Sequence, residues 1–112
     1  MSSQDSSVLI NALIKAGGIL GLNKTDTLHV VGVESDCIGI NRDSGAGEKA
    51  AQLIRIYISL YSFMGGNQKQ MRFWMHTDNK GASGIPAQQV KTESGLFQVV
   101  GYLEDIKNSS VS

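Results

Sequence analysis

Leu53-Ile54-Arg55-Ile56-Tyr57-Ile58-Ser59-Leu60-Tyr61-Ser62-Phe63-Met64 is the longest apolar stretch of the chain, and its reading decides the fold. Leu53, Ile54, Tyr57, Ile58, Leu60, Tyr61 and Met64 cover most of a helical cylinder. Arg55, Ser59 and Ser62, at i, i+4 and i+7, leave one narrow polar stripe. A helix this apolar sits at the centre of a fold, packed on several sides or across a dimer seam. Its apolar coverage exceeds what one small domain can bury, which points to a share in such a seam. It is too short and too interrupted to span a membrane.

Gly65-Gly66 ends this helix, and Asn67 caps another that runs from Gln68 to about His76. Its apolar positions Met71, Trp74 and Met75 lie at i, i+3 and i+4. Thr77-Asp78-Asn79-Lys80-Gly81 reads as a turn, with Asn79 and Gly81 able to take positive φ. Pro86, the only proline, suits the first position of a short helix to Val90. Thr92 can cap the final helix, whose apolar stripe is Leu96, Val99, Val100, Leu103 and Ile106.

Towards the N-terminus, Asp43-Ser44-Gly45-Ala46-Gly47 reads as a flexible connector and the best internal boundary. Before it, Val8, Leu9, Ala12, Leu13 and Ala16 have helical spacing, and the helix either stops at Gly17-Gly18 or runs weakly on towards Leu20. Asn23 caps a second helix, Lys24 to Val31, that Gly32 ends, with Leu28 and Val31 on its apolar side. A third is expected from Ser35 to about Arg42. Strand alternation is almost absent, so the expected class is all-α. The Ser-rich ends MSSQDSS and NSSVS are expected to fray.

Composition narrows the function classes. The chain has 112 residues, with 41% apolar and 18% charged, enough to bury a core. The single Cys37 precludes an intrachain disulfide. With a polar N-terminus and no signal-peptide pattern, this points to the cytoplasm. His29, His76 and Cys37 have none of the spacings of zinc sites, so no metal or cofactor is expected. No nucleophile elbow is present, Glu104-Asp105 are adjacent and diverge on a helix, and the glycine pairs do not follow strands. An enzyme is therefore not expected.

Leu20-Gly21-Leu22-Asn23, then eight residues, then Gly32-Val33 and a short helix have the layout of a helix-turn-helix. Its second helix, Ser35-Asp36-Cys37-Ile38-Gly39-Ile40-Asn41-Arg42, is a poor reader of DNA: Arg42 is its only cation, and Glu34 and Asp36 lie where a phosphate would approach. Ser35, Asn41 and Arg42 are the candidate DNA contacts. Residues 1–45 sum to −2 and residues 46–112 to +2, and neither half concentrates a basic face. DNA binding is expected to be weak.

The C-terminal half carries a more specific pattern. Leu53 to Leu60, Gly65-Gly66-Asn67, Met71-Arg72-Phe73-Trp74-Met75, Asp78-Asn79-Lys80, Gly84-Ile85-Pro86, Thr92-Glu93-Ser94-Gly95-Leu96, Val99-Val100 and Tyr102-Leu103 together resemble the Xre–MbcA–ParS antitoxins. The likeness spans residues 46 to 107 and, more loosely, 9 to 42. It implies a helix-turn-helix region over 1–45, a toxin-binding domain over 46–108 and a tail over 109–112. It further implies a type II antitoxin, a homodimer that covers the active-site cleft of a co-encoded toxin. That toxin is often of the NAD-targeting RES class, and many members also repress their own operon. The chain departs from the pattern at Gly39-Ile40, where a polar residue and Arg are common, and at Ala82-Ser83, where a Leu is expected before Gly84.

Trp74, Asn79, Lys80, Gly84, Pro86, Gly95, Phe97, Tyr102 and Asp105 are the candidate toxin-binding residues. Most of the Trp74 ring is expected in the core, and Asn79 to hold a turn that presents Lys80. Gly84 and Pro86 set the entry of a short helix, and Gly95 permits close approach to another backbone, internal or the toxin's. Phe97 and Tyr102 are the aromatic contacts. Glu104, Asp105 and Lys107 form a solvated face that, on the family mechanism, reaches toward a cationic NAD pocket. The competing readings are a helix-turn-helix regulator with no toxin partner and a small enzyme.

Overall fold

Three short polar side chains start three of the helices. Asn23 Oδ1 accepts the Asp26 N–H at 2.7 Å, Ser44 Oγ that of Gly47 at 3.1 Å, and Asn67 Oδ1 that of Gln70 at 3.1 Å. Each satisfies a backbone donor that the first helical turn leaves unpaired. The computed structural model describes residues 3–33, 44–79 and 84–111, with side chains for 8–33, 44–79 and 84–108. These form six helices: α1 (Ser3–Ile19), α2 (Lys24–Val31), α3 (Gly45–Phe63), α4 (Gln68–Met75), α5 (Pro86–Gln89) and α6 (Glu93–Val111). The protein is all-α, with no strand among the described residues; Asn79 and Gly84 form an isolated antiparallel bridge.

The apolar stretch 53–64 is the axis of the fold. α3 packs against α1, α2, α4 and α6, and its Ala50, Leu53, Ile56 and Leu60 are buried. These positions recur every three or four residues, so they share one side of the helix. One continuous core joins them to Leu13 and Leu20 of the N-terminal region, Leu28 and Val31 of α2, Met71 and Met75 of α4, and Leu96, Val99 and Leu103 of α6. The stripe of Arg55, Ser59 and Ser62 lies on the opposite side, with the exposed Ile58 and Tyr61 along one edge of it and the exposed Phe63 along the other.

Three boundaries differ from the sequence reading. Residues 43–47 were expected as a connector, but α3 begins at Gly45. The Ser44 cap and the burial of Gly47 against the body of the fold outweigh the poor helix propensity of the glycines. Of the two ends expected for α1 the longer is found: it runs through Gly17-Gly18 to Ile19, where Ala16 and Gly17 are buried and the turn is held by packing. The Ser-rich ends are helical, from Ser3 and as far as Val111, since no proline or glycine stops either helix there. α2 has the expected bounds and ends on Gly32 in the left-handed conformation, but it buries Thr27 and Val30 besides Leu28 and Val31. The expected third helix, Ser35 to Arg42, lies outside the described residues.

The N-terminal helices and α4 meet at the turn between α1 and α2. Gly21 has φ +85°, and a Cβ there would lie 2.6 Å from both Arg72 Cγ and His76 Nε2. Only glycine accepts both that conformation and that crowding. Arg72 Nε also donates to the Ile19 carbonyl at 3.4 Å, which caps α1 from α4.

Candidate functional site

α4 is anchored from below. Met71 and Met75, one turn apart, are fully buried, and Asn67 fixes the helix start. At its other end the Thr77 hydroxyl donates to the Phe73 carbonyl at 2.6 Å. Trp74, one step round from Met75, is half-buried against the core, and its ring stacks on Tyr102 of α6, centroids 6.5 Å apart with 10° between planes. This joins the two helices at their outer edges and leaves part of both rings facing outwards.

The other sequence-derived candidates divide by burial. Pro86 is buried at the first position of α5, with no side-chain cap before it. Gly95 is buried where α6 passes over the end of α5, and a Cβ there would overlap the Gln89 carbonyl. The close backbone approach at Gly95 is thus internal. Thr92 Oγ1 accepts the Gly95 N–H at 3.1 Å, so the expected cap of the last helix is present. Asn79 and Gly84 exchange both backbone hydrogen bonds, Asn79 N to Gly84 O at 2.9 Å and the reverse at 3.1 Å, and so tie off the loop before α5. Lys80 lies outside the described residues, as do Ser35, Asn41 and Arg42.

Phe97 and Asp105 are exposed. Phe97 and Tyr102 do not share a face: five helical residues turn the chain through about 140° beyond a full circle. Tyr102 lies on the edge next to α4. Phe97 lies near the line of Glu93 and Glu104, which pair with Lys49 at 4.0 Å and Arg55 at 3.5 Å of α3. Both ion pairs are largely solvated and add little stability. Glu104, expected as plainly solvated, is thereby turned towards α3.

Sequence reasoning missed Phe73, at 72% the most exposed large apolar side chain among the described residues. The signal was present. With Met71 and Met75 defining the core side of α4, Phe73 sits about 160–200° round the helix from both. Among the described residues no cluster of three or more His, Cys, Asp or Glu can hold a metal ion, and no helix is long and apolar enough to cross a membrane. The arrangement offers surface for contact: a braced aromatic edge on α4 and α6.

A second apolar surface lies between α1 and α3. Ala12, Lys15, Ala16, Ile19, Ile54, Tyr57 and Ile58 line a groove of about 280 Å³. Tyr61 extends it, its ring 5.9 Å from that of Tyr57. Lys15 is the only charged residue in the lining.

Residues 59–108 match the family model of the antitoxin Xre/MbcA/ParS C-terminal toxin-binding domain. The match begins inside α3 and takes in α4, α5 and most of α6, so it contains the Trp74–Tyr102 stack and excludes α1 and α2. It supports an antitoxin role in a toxin–antitoxin system. No curated protein matches the chain significantly.

Proposed function

We propose that this chain, with an antitoxin toxin-binding domain over residues 59–108, neutralises a co-encoded protein toxin by covering its active site. The observation that carries the reading is the coincidence of the matched segment with the braced aromatic edge of α4 and α6. Trp74, Tyr102 and Asp105 offer contact surface on that edge, and Phe97 offers it on the flank of α6. Pro86, Gly84, Asn79 and Gly95 act by shaping the backbone beneath it. The toxin is of the RES type and targets NAD, and the carboxylate of Asp105 is directed to the cationic pocket that such a substrate requires.

The antitoxin acts as a homodimer. The exposed apolar surface between α1 and α3 supports this, because Ile58 stands beside the small side chains of Ala12 and Ala16, a knob next to holes. Operator binding through the N-terminal helices is a secondary activity and weak, since residues 1–45 carry a net −2. The test is co-expression with the product of the adjacent reading frame. Relief of its toxicity and co-purification are expected; if the chain gives neither, the antitoxin reading fails.

A further inference from the structure

We propose that Phe73 is the anchor of the partner interface, inserting into an apolar pocket of the toxin whose rim carries carboxylates. The proposal rests on the antitoxin reading and names the chemistry of the surface that α4 receives. Phe73 is held out by the fold: Met71 and Met75 are fully buried on the far side of the same two turns, and the Trp74–Tyr102 stack blocks rotation of the helix. An aromatic presented on a braced helix loses little conformational freedom on binding, which is what makes such side chains dominant in interfaces. An exposed phenyl ring has no hydrogen-bonding group to satisfy, so its matching surface is an apolar recess.

The charge on α4 itself is positive. The helix has Lys69 and Arg72 and no acid; Arg72 is turned to the Ile19 carbonyl of α1, and the first acid after it, Asp78, lies five residues past Phe73 and outside the helix. Lys69 lies one turn before Phe73, on the same helix face, and His76 lies three residues after it. A complementary rim is therefore acidic. Nucleic acid is a poorer fit, because the two cations of α4 neutralise few phosphates. A lipid surface is poorer still, because α4 offers it a single exposed apolar side chain and not a continuous apolar face.

The test uses the full chain and the purified product of the adjacent reading frame. Phe73→Ala, at an exposed position, should leave the melting temperature unchanged and weaken binding by about 30-fold. Lys69→Glu should weaken it several-fold at low ionic strength, and the difference should vanish in about 1 M salt, where screening acts over ~3 Å. Binding of Phe73→Ala within about twofold of wild type overturns the anchor while leaving the antitoxin reading intact. Equal or tighter binding of Lys69→Glu at low salt overturns the acidic rim. If the wild-type chain itself does not bind, both readings fall. If Phe73→Ala instead abolishes binding to duplex DNA, the pocket belongs to no protein and the proposal is wrong.

Discussion

The rings of Trp74 and Tyr102 lie nearly parallel, 6.5 Å apart, and they are the only aromatic contact between α4 and α6 among the described residues. Ring pairs of this kind contribute about 0.5–1.5 kcal/mol beyond the area they bury. A double-mutant cycle of Trp74→Ala and Tyr102→Ala, followed by urea unfolding, should give a coupling of about 1 kcal/mol. Strict additivity would show that the two rings are neighbours without being partners.

Gly95 and Gly101 both sit in α6, yet the same substitution should move them in opposite directions. Gly95→Ala drives a methyl group into the Gln89 carbonyl and should cost about 2 kcal/mol or more. Gly101→Ala meets nothing within 4 Å and should gain about 0.5–1 kcal/mol from helix propensity. Thermal melts of the two variants decide the matter; a Gly95→Ala variant as stable as wild type contradicts the internal close approach.

Asn67 starts the helix that carries Phe73 and Trp74. Asn67→Ala removes the acceptor for the Gln70 N–H and should cost about 1 kcal/mol, and Asn67→Ser should recover most of it. Chemical denaturation of the three proteins provides the comparison. Equal losses for Ala and Ser would mean that the Asn67 side chain is used for something other than capping.

Ile58 is 56% exposed on the surface proposed for self-association. Ile58→Glu should convert the dimer to monomer in sedimentation velocity runs and leave the urea midpoint of the monomer nearly unchanged. A wild-type chain that sediments as a monomer at every concentration removes the basis of the dimer proposal.

The helix starts at Lys24 and Gln68 were legible because Asn23 and Asn67 stand immediately before apolar periodicity, and a side-chain cap is a local device. The start of α3 was not, because Gly45-Ala46-Gly47 is locally a loop sequence and becomes helix through burial of Gly47, a tertiary effect. At the candidate site, the last helix and its Thr92 cap could be read directly, as could the likeness confirmed over residues 59–108. What periodicity alone left open was direction. Gly95 could face inwards or outwards, and only the path of α5 beneath it assigns its neighbour. Phe73 stands outside the apolar stripe of α4, so the periodicity that marks a core position says nothing of it.

The matched segment begins at Ser59, within α3, so its boundary divides a helix whose buried Ala50, Leu53 and Ile56 lie on the other side. A protein bound to α4 and α6 stabilises the native state as a whole by mass action. Because α1 and α2 share that core, their slowest-exchanging amide hydrogens should become more protected when a partner binds, although it touches neither helix.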